Sequence, residues 1–213
     1  IYFSRPDSYI FENNVYAARK KLGSRLAAEF PVKADLVMPV PDSGTFAALG
    51  FSEAAKIPFD FGMIRNHYIG RTFIQPTQQL RDFRVKIKLN PLKAVLKGKK
   101  IVLIEDSIVR GTTSRIRVKT LRQAGAKEIH MRISCPPIIS PCFYGIDFPS
   151  NGELIAHNKT VKEIADFIKV DSLGFLSQEG MLSVMKDKTF CTSCFTGKYP
   201  VPTPKNADKL KLE

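Results

Sequence analysis

The segment from Lys100 to Ser114, Lys-Ile-Val-Leu-Ile-Glu-Asp-Ser-Ile-Val-Arg-Gly-Thr-Thr-Ser, constrains the fold more than any other. Its apolar run, Ile101 to Ile104, is too short for a helix and reads as a strand buried on both faces. Two adjacent carboxylates, Glu105 and Asp106, end the strand. A loop of small and hydroxyl residues then leads into a helix over Thr112 to Ala124, closed by Gly125. Strand, acidic turn and helix form the unit of an open α/β sheet, whose ligands gather beyond the carboxyl ends of the strands. The loop N–H groups, the helix start and the hydroxyls of Ser107, Thr112, Thr113 and Ser114 make a cradle for an anion. Carboxylates beside such a cradle suit something cationic or rich in hydroxyls, such as Mg²⁺ or a ribose diol.

The rest of the chain keeps the same alternation. Asn13 to Phe30 reads as a helix, with Val15, Ala18, Leu22, Leu26 and Phe30 inward, Arg19, Lys20 and Lys21 outward, and Pro31 as its stop. Further helices are expected over Thr45 to Lys56, Val161 to Ile168 and Gln178 to Lys186, and strands over Asp35 to Val40, Ile57 to Ile64 and Glu128 to Cys135. The class is therefore α/β, a mostly parallel central sheet flanked by helices. Beyond Ser134 the prolines (Pro136, Pro137, Pro141, Pro149) predict a C-terminal segment wrapped on the core. The 213 residues suit one domain of this kind. Its division is a core over 1–134, a packing segment over 135–197 and a poorly ordered tail over 198–213.

A second anion site is read from Val40-Pro41-Asp42-Ser43-Gly44-Thr45, where a strand ends, Gly44 permits close backbone approach and a helix begins. A plain turn with a hydroxyl helix cap fits the same residues.

Charge adds a partner class. The formal net charge is +13, and residues 65–100 hold ten Lys or Arg against the single acid Asp82. Within them Arg84, Lys86 and Lys88 alternate with period two and share one face. Such a surplus fits nucleic acid, acidic lipid or a phosphorylated metabolite, and composition does not choose among them. No winged or helix-turn-helix segment is visible, and no apolar run approaches the roughly eighteen residues of a membrane span. Four cysteines are too few for a disulfide scaffold, so a soluble chain in a reducing compartment is expected. Cys191-Thr192-Ser193-Cys194 is a tight thiolate turn suited to zinc, an iron–sulfur cluster or redox chemistry, while Cys135 and Cys142 also read as small core residues. His67, His130 and His157 read as structural.

Residues 105–114 resemble the phosphoribosyl pyrophosphate (PRPP) signature of the type I phosphoribosyltransferases, and in particular their glutamine-dependent PRPP amidotransferase branch. The likeness extends over Tyr2 to Ser8, Val40 to Gly44, Gly70 to Pro76, Lys88 to Pro91, Pro141 to Asp147 and Cys191 to Gly197. It implies the type I phosphoribosyltransferase fold and Mg²⁺-dependent displacement of pyrophosphate from PRPP by ammonia to give 5-phosphoribosylamine, the first step of purine synthesis. On that likeness Glu105 and Asp106 hold the ribose hydroxyls. Ser107, Ile108, Val109, Arg110, Gly111, Thr112 and Thr113 hold the 5-phosphate. Asp42, Ser43, Gly44 and Thr45 form the pyrophosphate loop, and Ser43, Glu105 and Asp106 serve the Mg²⁺. Arg65, Arg71 and Lys88 are the cations of a catalytic loop that closes over PRPP, with Arg71 and Lys88 catalytic. Glu105 departs from the Asp usual there, which lengthens its reach by one methylene.

The same likeness implies a [4Fe–4S] cluster on Cys142, Cys191 and Cys194, with a fourth Cys upstream of Ile1; a zinc site completed by Cys135 competes with it. It implies an N-terminal glutaminase domain outside this chain that supplies ammonia from glutamine. It also implies feedback by purine nucleotides, a homotetramer and a cytoplasmic location. A salvage phosphoribosyltransferase acting on purine or pyrimidine bases, and a PRPP-sensing nucleic-acid binder, are the alternatives.

Overall fold

The structure, a computed structural model, describes residues 4–65, 89–146, 150–186 and 189–202. Arg71, Lys88, His67 and most of the basic 65–100 stretch lie outside them, as do Asp147, Pro149 and residues 203–213.

A short hairpin, β1 (Tyr9–Ile10) and β2 (Asn13–Asn14), leads into α1 (Val15–Glu29). The side chain of Asn14 caps that helix by accepting from the Ala17 N–H at 3.0 Å. There follow β3 (Leu36–Pro39), α2 (Thr45–Ala55), β4 (Met63–Arg65), β5 (Leu89–Pro91), α3 (Lys93–Leu96), β6 (Lys100–Glu105) and α4 (Thr112–Gln123). The chain continues through β7 (Glu128–Ile133), a 3₁₀ turn (Asn151–Glu153), α5 (Ile155–Asn158), α6 (Val161–Ile168), β8 (Ser172–Phe175), α7 (Gln178–Ser183) and α8 (Ser193–Thr196).

Among the described residues the central sheet runs β3-β6-β7-β8, all parallel. Strand alternation sorts its side chains onto two faces. Leu36, Met38, Ile101, Leu103, Ile129 and Met131 pack with Val118 and Leu121 of α4 and with Ile164 and Ile168 of α6. Val37, Val102 and Ile104 pack on the other face with Leu22 and Leu26 of α1 and Ala47, Ala48 and Phe51 of α2. Each fully buried Leu, Ile or Phe contributes about 1.5–3 kcal/mol, so both faces are needed.

Three expectations change. Arg19 is not on the outer face of α1: it is 6% exposed and continues the buried row Val15, Ala18, Leu22, Leu26. The strand expected over Ile57 to Ile64 is broken. Pro58 has no N–H for a ladder, so only Phe59 bridges Val37 at the sheet edge, and β4 turns away to pair antiparallel with β5. The segment after 134, read from its prolines as wrapping, supplies the fourth strand of the sheet through β8. At the start of the tail, the Tyr199 hydroxyl donates to the Pro141 carbonyl at 2.6 Å, and the Val201 N–H donates to the Tyr144 hydroxyl at 3.1 Å.

Candidate active site

Two neighbouring strands end side by side, and each feeds a helix. The turn after β3 folds onto the end of β6, with the Val40 N–H donating to the Ile104 carbonyl at 2.8 Å. Gly44 makes this fit possible, because a Cβ there would stand 2.3 Å from the Ile104 carbonyl oxygen. Gly44 is also the N-cap of α2 and has no side chain with which to cap it. After β6 the loop is pinned by Ile108, 2% exposed in the main core, and by the Val109 carbonyl, which accepts from the Ile155 N–H at 2.9 Å. Gly111 then enters α4 at φ 74°, a left-handed conformation that favours glycine. It too leaves the helix start without a side-chain cap. Two adjacent helix N-termini thus offer backbone N–H groups and positive dipole ends to anions. Thr112 and Thr113 stand exposed at the second of them.

The two carboxylates point to opposite faces of the sheet. Alternation carries Glu105 to the α4 face, where it is 7% exposed, ion-paired with Arg117 and accepting from the Ser114 hydroxyl at 3.4 Å. Burial pushes its pKa up, and the Arg117 charge opposes that shift. Asp106 turns to the α1 face and lines a cavity of about 230 Å³ with Arg19, Leu22, Ser134 and Cys135. Its carboxylate accepts from the Ser107 hydroxyl at 3.0 Å. Its pKa is also raised by burial, against the pull of Ser107 and the Arg19 charge. Arg19 in turn donates to the Ser4 carbonyl at 2.7 Å.

Of the remaining expected residues, Arg65 holds Asp42 in an exposed ion pair at 2.7 Å. Arg110 holds Glu153 at 2.9 Å, so its charge faces the C-terminal segment. Ser43 lies in the turn between Asp42 and Gly44, partly buried. Asp106 and Ser43 are oxygen donors of the kind Mg²⁺ takes, and this ion needs only one or two protein ligands when phosphates supply the rest. The donor set at this edge therefore fits Mg²⁺, with Glu105 engaged elsewhere.

The thiols fit their expected group less well. Cys142 and Cys194 pack against one small cluster around Ile138 and Leu154, while the Cys191 sulfur lies 3.2 Å from the Ser193 hydroxyl. Among the described residues no three His, Cys, Asp or Glu side chains gather as metal ligands. Cys135 is a buried core thiol whose pKa burial pushes well up. His130 is 9% exposed, its pKa lowered by burial and by Arg132, with Nδ1 2.9 Å from the Ser172 hydroxyl; it is a structural histidine.

No family model matches the chain. Individual proteins do. It is 56% identical over 214 residues to the amidophosphoribosyltransferase of Synechocystis sp., covering 100% of this chain and 43% of that protein. It is 55% identical over 210 residues to the amidophosphoribosyltransferase of Methanocaldococcus jannaschii, covering 99% and 44%. The glutamine PRPP amidotransferase of B. subtilis, solved with ADP and GMP, superposes with a TM-score of 0.88 at 52% identity, covering 96% of this chain and 46% of that one. The chain belongs to the amidophosphoribosyltransferase family. It spans less than half the length of these amidophosphoribosyltransferases. The α/β class with a parallel sheet, expected from the sequence, is the fold of the amidophosphoribosyltransferase structure.

Arg19 and Arg117 are the side chains behind the two carboxylates that sequence reasoning passed over. Arg19 was legible, since it lies four residues after Val15 and three before Leu22 on the buried stripe. Arg117 carried a weaker signal, its place three residues beyond Ser114 on the helix that follows Glu105.

Proposed function

We propose that this domain carries the phosphoribosyltransferase reaction of an amidophosphoribosyltransferase. Ammonia displaces pyrophosphate from C1 of PRPP with inversion, giving 5-phosphoribosylamine for purine synthesis. The observation that carries this reading is the pair of adjacent strand ends, each feeding a helix start without a side-chain cap, with Asp106 at one of them. One ligand with two phosphate ends and a diol between them matches that layout. The 107–113 loop holds the 5-phosphate, and Asp42 to Thr45 hold the pyrophosphate. Asp106 accepts from the ribose hydroxyls, and its negative charge stabilises positive charge that develops at C1. Arg65, with Arg71 and Lys88 from the stretch outside the described residues, supplies cations to the leaving pyrophosphate. Asp106 and Ser43 would hold Mg²⁺, which when bound neutralises pyrophosphate oxygens as charge gathers on them.

The whole protein would add a glutaminase domain that releases the ammonia, feedback by purine nucleotides, a homotetramer and a cytoplasmic site of action. The family likeness would give that whole a [4Fe–4S] cluster on Cys142, Cys191 and Cys194 plus one further thiolate, which the three thiols as they lie here do not form. It takes no part in the chemical step. Among the described residues no helix is long and apolar enough to cross a membrane.

The deciding assay follows pyrophosphate release from Mg-PRPP by this chain with ammonium chloride, glutamine, or free purine and pyrimidine bases. Release with ammonium and not with glutamine is expected. Release driven by a base alone would instead make it a salvage enzyme. No PRPP turnover, with salt-sensitive DNA binding, would make it a nucleic-acid-binding regulator.

A further inference from the structure

Glu105 stands at a signature position and yet faces α4, on the side opposite the cavity that Asp106 lines. Its carboxylate is enclosed by α4, with Arg117 on one oxygen and the Ser114 hydroxyl on the other. The Glu105 and Arg117 side chains are 9% and 18% exposed, so water competes little for either. Arg117 also lines a small pocket with Met63, Leu89 and Pro91 of the β4–β5 strands and with Ile116 and Thr120 of its own helix. The ion pair therefore joins the end of β6 to α4, and Arg117 borders a small pocket shared with the β4–β5 strands. Asp106, one residue on, lines the open cavity on the opposite face. The longer side chain of Glu, compared with Asp, reaches into α4 far enough to make the pair.

We propose that Arg117 is a positioning residue: its buried pair with Glu105 withdraws that carboxylate from the ligand and fixes the 106–111 loop between β6 and α4, leaving Asp106 as the carboxylate that meets the sugar. This rests on the reading of the site as a PRPP site. The pair spans the loop like a clasp, joining the strand before it to the helix after it. A cradle of backbone N–H groups binds tightly only if those groups are already aimed, so loosening the clasp acts on ligand binding. Breaking one partner leaves a buried unpaired charge, whereas neutralising both does not. The two substitutions must then be strongly non-additive.

The test compares wild type with Glu105→Gln, Arg117→Met, the double variant and Asp106→Asn. Calorimetric titration with Mg-PRPP, thermal melting without ligand, and ammonium-dependent turnover are the readouts. Each single variant at the pair should weaken Mg-PRPP binding by about tenfold and lower the melting temperature. The double variant should be no worse than the poorer single in binding and should recover melting temperature. Asp106→Asn should lose about a hundredfold in kcat. The proposal is overturned if the two substitutions multiply in binding, or if Arg117→Met binds like wild type while Glu105→Gln loses kcat as severely as Asp106→Asn. Should a single variant fail to fold, the double variant decides alone: Mg-PRPP binding within about tenfold of wild type supports the clasp, and a loss of about a hundredfold overturns it. Failure of wild type to bind Mg-PRPP at all is a separate result, which removes the site reading on which the proposal rests.

Discussion

At Asp106 burial and charge pull in opposite directions, and the balance leaves the carboxyl with a pKa above the ordinary aspartate range. Its charged form is therefore less stable in the folded chain than in the unfolded one. The folded state binds more protons across the window that starts near the unfolded value of about 3.9, so stability falls as pH rises through it. Asp106→Asn removes that cost. We expect the variant to melt higher than wild type at pH 7, and the difference to vanish as pH falls below the window. Binding should move the other way, because the ligand needs the carboxylate. Mg-PRPP affinity in wild type should drop on the acid side at a pH above that of an ordinary aspartate, and Asp106→Asn should lack this limb. Melting curves and titrations across pH 4–8 read both, and a flat melting difference would show that burial does not govern this group.

Between β3 and α2 the turn works only because Gly44 has no side chain. A Cβ there would meet the Ile104 carbonyl oxygen at 2.3 Å, against backbone that cannot swing aside. Gly44→Ala should therefore push the turn off the end of β6 and cost on the order of 1–3 kcal/mol. The affinity for pyrophosphate should fall more than that for ribose 5-phosphate, since α4 and its loop are untouched; equal losses would refute separate cradles. That turn was readable from Pro-Asp-Ser-Gly, as were the strand Ile101–Ile104 and the helix after it, because each has a short apolar core and sharp punctuation. β8 was hard to read, since Ser172-Leu173-Gly174-Phe175 is only four residues long, has no β-branched residue and holds a glycine; it is a strand because β7 offers it a parallel edge. The opposed directions of Glu105 and Asp106 follow from strand alternation alone. The helix pattern marks Arg19 as buried, but which guanidinium meets which carboxylate depends on helices from opposite faces of the sheet, a tertiary fact.

At the edge where β3 and β6 end, each strand is followed by a loop that leads into a helix, α2 on one face of the sheet and α4 on the other. With a net charge of +13, an anion bound at that edge relieves repulsion that the folded chain otherwise carries. A ligand that bridges the 42–45 turn and the 107–113 loop ties α2 to α4 across the sheet and binds only the folded state. At about 100 times its Kd such a ligand adds roughly 2.7 kcal/mol. For a domain of this size that is a rise of roughly 5–10 °C in melting temperature. Mg-PRPP should give a shift of this order, and ribose 5-phosphate or Mg-pyrophosphate alone, at equal concentration, a clearly smaller one. Bridging also predicts that ribose 5-phosphate and Mg-pyrophosphate added together fall short of PRPP, because two separate ligands each lose their own freedom of motion on binding. A shift as large with ribose 5-phosphate alone would mean that the 42–45 turn contributes nothing to holding the ligand.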